Sequence, residues 1–151
     1  MTSQLDTSSV GHVVRDAIAR AIAVVALAGV ALVHLLDAPG SFQDAPYKGW
    51  LYVGLIAGTL VTAGLLLRRP SRSAWLAAVV LPLSAFAAFV WSRTVGLPQG
   101  ADDIGNWWEP LGLSSLFVEA CVAAVAVHVL GPVRRPTGVR VGLRPAEGAL
   151  R

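Results

Sequence analysis

The sequence predicts an all-α fold, an integral membrane bundle of four helices with both termini cytoplasmic, and three observations carry that expectation. The chain is 55% hydrophobic and 14% charged, too apolar a balance for a soluble domain of this length. Its apolar residues form four long runs, Ala21–Leu36, Trp50–Leu67, Ala74–Trp91 and Leu111–Leu130, each able to cross a hydrocarbon layer of about 30 Å. The runs are apolar on every side, without the alternation of an amphipathic helix or strand.

Charge sets the orientation. Of the 12 basic residues, only Lys48 and Arg93 fall at one end of a four-span arrangement. Arg15, Arg20, Arg68, Arg69, Arg72 and the arginines of the C-terminal tail fall at the other. The positive-inside rule then puts both termini in the cytoplasm. Asp37, Asp44, Asp102, Asp103 and Glu109 run the other way, to the outside. No basic stripe is interleaved with aromatics on a soluble fold, so nucleic acid is not an expected partner. The lipid bilayer is.

Taken in order, residues 1–14 read as a Ser/Thr-rich, disordered tail ahead of a bundle spanning 15–131. The first helix is expected over about 17–37, with Arg20 snorkelling at its start and Pro39-Gly40 ending it. The basic flank and apolar run resemble a signal peptide. Asp37-Ala38-Pro39-Gly40 makes a poor cleavage site, so the helix is expected to be retained. A short outer loop leads to a second helix at about 48–67, where Gly54, Gly58 and Thr62 form a ridge of small residues. Such a ridge suits close helix packing, within the bundle or against a second copy or another membrane protein. Arg68-Arg69-Pro70-Ser71-Arg72 reads as a tight inner turn.

The third helix, about 74–95, carries Pro82 at its middle. A proline there frees a carbonyl that neighbouring helices must satisfy. The longest loop follows, with Trp107 and Trp108 suited to the headgroup layer or to a lid. The fourth helix, about 111–130, aligns Ser115, Glu119, Ala123 and Ala126 on one face, which must point inward because Glu119 facing lipid is costly. Residues 132–151 read as a disordered, Arg-rich cytoplasmic tail.

Three ionisable groups lie toward the outer side of this arrangement. His34 falls about 4–5 Å below Asp37, on the same face, so Asp37 is placed to orient its imidazole. Glu119 lies about 12 Å below the outer end of its helix, and Arg93, in the last turn of the third, has a side chain long enough to reach it. Three readings compete: a structural polar cluster, a metal site on His34 and Glu119 with Asp37 or Glu109, and an outward-opening pocket for a small molecule, a quinone or a proton. His34 and His128 fall at opposite depths, which disfavours a shared haem, and the single Cys121 excludes an internal disulfide. No GxSxG, HExxH, Walker A or dinucleotide fingerprint is present, so no strong motif supports catalysis and the enzyme question stays open.

Several segments carry a resemblance. They are His34, Tyr47-Lys48-Gly49-Trp50-Leu51-Tyr52, then Ser92-Arg93-Thr94-Val95-Gly96-Leu97-Pro98, then Glu109-Pro110-Leu111-Gly112 and Glu119. Over residues 20–130 the chain resembles a group of small four-span membrane proteins of actinobacteria and related bacteria. The resemblance implies that His34, Arg93 and Glu119 act together; it supplies no substrate or cofactor. The expectation is therefore an outer pocket built from His34, Asp37, Arg93 and Glu119 beneath Trp107 and Trp108, holding a transition metal ion (His34 and Glu119 as ligands) or a small polar ligand. The other expectations are a membrane oxidoreductase using metal or quinone there, and an assembly subunit of a larger complex.

Overall fold

The computed structural model describes the backbone of residues 3–131 and the side chains of residues 9–131. The expected C-terminal tail, 132–151, lies outside the described residues. The described part is a bundle of four helices, α1 (Ser3–Asp44), α2 (Pro46–Arg68), α3 (Arg72–Thr94) and α4 (Pro110–Leu130). All four are long and apolar enough to cross a membrane. This is a multi-pass membrane protein.

Helix α1 departs from expectation at both ends. The stretch expected to be a disordered tail is helical from Ser3. The Ser/Thr content hides a helical period, because Val10, Val13, Val14 and Ile18 recur at three- and four-residue steps and share one exposed face. At the other end the helix runs through Pro39 and Gly40 to Asp44. A proline removes one backbone donor and crowds the carbonyl four residues earlier. Here flanking packing outweighs that cost: Ala38, Ser41 and Ala45 are all buried, and Phe42 meets the edge of Trp50 with ring centroids 5.8 Å apart. The expected outer loop shrinks to Ala45, which is extended at φ −157° and ψ 118°. Pro46 opens α2, the helix position where its fixed φ and missing N–H cost nothing.

The other ends have local causes. Ser71 caps α3 by accepting from the Ala74 N–H at 3.2 Å. Helix α3 stops where Gly96 turns to φ +88°, and the N–H groups of Val95 and Gly96 both return to the Trp91 carbonyl. The connection from there to α4 is folded. It contains a turn closed by Gly100 N–H to Leu97 O at 2.9 Å and a short 3-10 helix, Ala101–Asp103.

Helices α1 and α2, α1 and α4, and α3 and α4 pack extensively, whereas α2 and α3 touch sparingly. Consecutive spans alternate in direction, so one end of the bundle carries the Ala45 turn and the 95–109 loop. The interior divides by depth. Leu27 and Val30 of α1, Leu66 of α2, Trp75 and Ala78 of α3 and Val122 of α4 belong to one apolar core in the half remote from the loop. The loop half holds most of the buried polar residues, His34, Ser41, Lys48, Ser92, Arg93, Ser115 and Glu119, with Thr59 and Thr62 of α2 deeper. Large apolar side chains such as Val25, Leu67 and Phe117 face outward, as a lipid-exposed surface requires.

The small-residue ridge of α2 is split. Thr62 is buried and donates to the Gly58 carbonyl at 2.7 Å, and Gly58 faces the Leu81 side chain of α3. A Cβ at Gly54 would point into open space, with no atom of another element within 4 Å.

Candidate functional site

Above the apolar core, the loop half of the bundle encloses a cavity of about 360 Å³. All four helices line it. Its floor combines His34 and Asp37 from α1, Tyr52 from α2, and Ser115 and Glu119 from α4. Because α1 continues to Asp44, His34 lies about 15 Å inside the loop end of its helix, and Glu119 about 13 Å inside the start of α4. The two groups therefore share a level.

At the floor, His34 Nδ1 lies 2.9 Å from the Val30 carbonyl. A carbonyl only accepts, so the proton on this side of the ring is on Nδ1. The other ring nitrogen, Nε2, lies 3.7 Å from Glu119 Oε1. Ser115 donates to that same oxygen at 2.6 Å. Glu119 Oε2 is buried and has no hydrogen-bond partner, in a side chain that is 2% exposed. Asp37, expected to orient His34, instead accepts from the Tyr52 hydroxyl at 2.9 Å. Tyr52 in turn sets its ring edge-on to His34 with centroids 4.8 Å apart. The backbone, one turn down α1, supplies the orientation that a carboxylate was expected to give.

The second storey is an ion-pair roof. Arg93, 6% exposed, was expected to reach down to Glu119. It turns to the loop instead, donating to Asp103 Oδ1 at 2.5 Å, to the Asp103 carbonyl at 3.3 Å and to Glu109. Lys48 donates to the other Asp103 oxygen at 2.9 Å. Two carboxylates near the membrane surface are cheaper partners for a guanidinium than one carboxylate deep in the bundle. Burial works to raise the Asp103 carboxyl, but the hydrogen bonds and charges of Lys48 and Arg93 outweigh it and hold it below its ordinary value. Arg93 also lies over the Phe89 ring, 4.8 Å from its centroid, and its Nε has no partner. Tyr47 OH to Pro98 O at 2.6 Å and Gly105 N–H to Arg93 O at 2.9 Å tie the loop down further.

The expected tryptophan lid does not form over this cavity. Trp107 meets the edge of Phe89, 6.2 Å between centroids, and Trp108 is 84% exposed. Neither lines the cavity, although Phe89 does. Sequence reasoning also left Tyr52 and Phe89 without a role and did not pair Asp103 with the outer cations. The signal for that pair was charge alone: Lys48 and Arg93 are the two cations of the loop end, facing a loop with three carboxylates.

The cavity wall carries five carboxylates, Asp37, Asp44, Asp103, Glu109 and Glu119, against Lys48 and Arg93. That balance favours cations and hydrogen-bond donors over anions. No group of three or more His, Cys, Asp or Glu side chains among the described residues is arranged to hold a metal ion. His34 and Glu119 alone would supply two of the ligands that such an ion takes. Comparison with known proteins returned no matching family model, curated protein or solved structure.

Proposed function

We propose that this multi-pass membrane protein is a binding protein, oriented with both termini in the cytoplasm of a bacterial plasma membrane, whose outer cavity takes a small polar ligand that donates hydrogen bonds. The observation that carries the reading is the Glu119 carboxylate, almost fully buried in the cavity wall with Oε2 unpartnered. A buried acceptor without a donor is costly, and a ligand N–H or O–H removes that cost. His34 supports the same reading, since its Nε2 offers a second acceptor at the same level unless it carries a proton. The surplus of wall carboxylates selects a cationic donor, and the roof of Lys48, Asp103, Arg93 and Glu109 limits access from the aqueous side. The split of basic residues supports the orientation.

The test is thermal stabilisation of the detergent-purified protein by butylamine, with elemental analysis of the same preparation. Saturable stabilisation, lost in Glu119→Gln and in His34→Ala, is the expected result. Near-stoichiometric metal in the wild type, absent from a His34→Ala/Glu119→Ala double mutant, would replace this reading with a metal site. No stabilisation and no metal would leave the floor a structural lock.

A further inference from the structure

We propose that the cavity has a second entrance, a lateral portal between α2 and α3 that opens into the outer leaflet, and that its ligand is an amphiphile with a primary ammonium head and a hydrocarbon chain. This rests on the donor-ligand reading above and names the ligand class and its route.

The seam between α2 and α3 is closed at one depth and open above it. Gly58 and Leu81 close it: a Cβ at Gly58 would lie 3.2 Å from Leu81 Cδ1. Pro82 follows at once on α3, buried at the same level. Toward the loop end the facing residues are Leu55 and Leu51 on α2 and Ser84 and Ala88 on α3, and all of them line the cavity. Leu51 is 64% exposed, and Ser84 and Ala88 are exposed as well. Residues that line a cavity while lying on the outer surface mark where that cavity breaks through. Ser84 is ten positions before the end of α3, about 15 Å into the span. At that depth the surroundings are lipid chains, not water.

The two walls of this route differ in chemistry. The seam is bordered by leucine, alanine and a serine whose hydroxyl is already turned to its own helix, Ser84 Oγ to Leu81 O at 2.7 Å. It therefore suits a hydrocarbon chain. The floor behind it offers Glu119 Oε2 and the surplus carboxylates, which suit a charged N–H donor. A head that donates is required, since a quaternary ammonium carries the charge but cannot satisfy an acceptor oxygen. The Lys48–Asp103–Arg93 ion pairs stand at the loop end of the cavity, and a molecule already dissolved in the leaflet enters without passing them.

The experiment uses the full chain in phosphatidylcholine nanodiscs and reads bound ligand by native mass spectrometry. The probes are dodecylamine, dodecyltrimethylammonium and butylamine. Saturable dodecylamine binding is expected, weakened about tenfold or more in Glu119→Gln, where one charge-assisted hydrogen bond is lost. Dodecyltrimethylammonium should bind weakly in both proteins. Ala88→Trp fills the portal from α3 and should abolish dodecylamine binding. Leu51→Trp blocks the opposite wall and serves the same purpose if Ala88→Trp fails to fold. Dodecylamine binding unchanged by both tryptophans would overturn the portal. Butylamine binding that depends on Glu119, without any dodecylamine binding, would also overturn it and leave the pocket reading standing. Absence of binding by all three would remove both.

Discussion

His34 and Glu119 meet across the α1–α4 interface with Nε2 3.7 Å from Oε1, too far for a direct hydrogen bond. The contact nonetheless defines the state of both groups. The Val30 carbonyl commits the ring to a proton on Nδ1, and Ser115 donates to Oε1, which leaves Glu119 Oε2 as the buried oxygen of the pair without a partner.

The first prediction concerns that ring. Nitrogen-15 spectra of a His12→Gln/His128→Gln variant, in which His34 is the one remaining histidine, should show Nδ1 protonated. A spectrum with the proton on Nε2 alone would contradict the Val30 hydrogen bond and with it the placement of the acceptor pair.

The second concerns Glu119. Glu119→Gln keeps an oxygen that can accept from Ser115, whereas Glu119→Ala does not. Thermal unfolding in detergent should place the glutamine variant above the alanine variant by about 1 kcal/mol, the net worth of one hydrogen bond. Equal stabilities would mean that Ser115 finds another partner without cost.

The third concerns the roof. Asp103 titrates below its ordinary value of 3.8 in the folded protein. A depressed folded-state value contributes stability that is fully present above the unfolded value and is lost as pH falls through the folded one. The protection of the 95–109 segment, relative to the intrinsic exchange rate at each pH, should therefore hold at pH 5 and above and fall only below about pH 4. Asp103→Asn should give fast exchange of that segment at neutral pH while the four spans stay protected. Full protection in that variant would show that Tyr47, Gly105 and the Arg93–Glu109 pair hold the loop without the Asp103 charge.

How far the sequence carried depended on what kind of information each feature needs. A continuous apolar run is a one-dimensional signal, and it is enough to establish four membrane-spanning helices. Pro39-Gly40 misled because a helix-breaking signal is local, whereas the burial of Ala38, Ser41 and Ala45 that overrides it is a tertiary fact. The site was legible in depth but not in azimuth. Counting residues placed His34 and Glu119 on the same side, but it could not tell that Arg93 turns toward Asp103 and Glu109 instead of down. Asp37 shows the same limit, since Tyr52 on α2 takes the carboxylate that spacing on α1 assigned to His34.

The fourth prediction tests orientation. In a Cys121→Ser background, Trp108→Cys lies on the fully exposed face of the loop and Ser71→Cys in the opposite turn. With both termini in the cytoplasm, a membrane-impermeant maleimide should label residue 108 in intact cells and residue 71 only after lysis. The reverse pattern would invert the topology and turn the cavity toward the cytoplasm.

The last concerns the ridge on α2, where two glycines four residues apart meet different surroundings. A side chain at Gly58 must displace Leu81 of α3, because even its Cβ would sit 3.2 Å from Leu81 Cδ1. A side chain at Gly54 enters open space. Gly58→Val should thus cost about 1–3 kcal/mol, the usual penalty for overfilling a packed contact. Gly54→Val should leave the monomer's stability unchanged to within about 0.5 kcal/mol, as for a surface substitution. The comparison also separates packing inside the bundle from association outside it. If α2 pairs with another helix through this ridge, Gly54 is the position still free to do so, and Gly54→Val would then lower the oligomer's mass in detergent without changing unfolding of the monomer. A Gly58 variant as stable as the wild type would show that α2 and α3 separate easily at this level, and the closed end of the seam would have to be placed elsewhere.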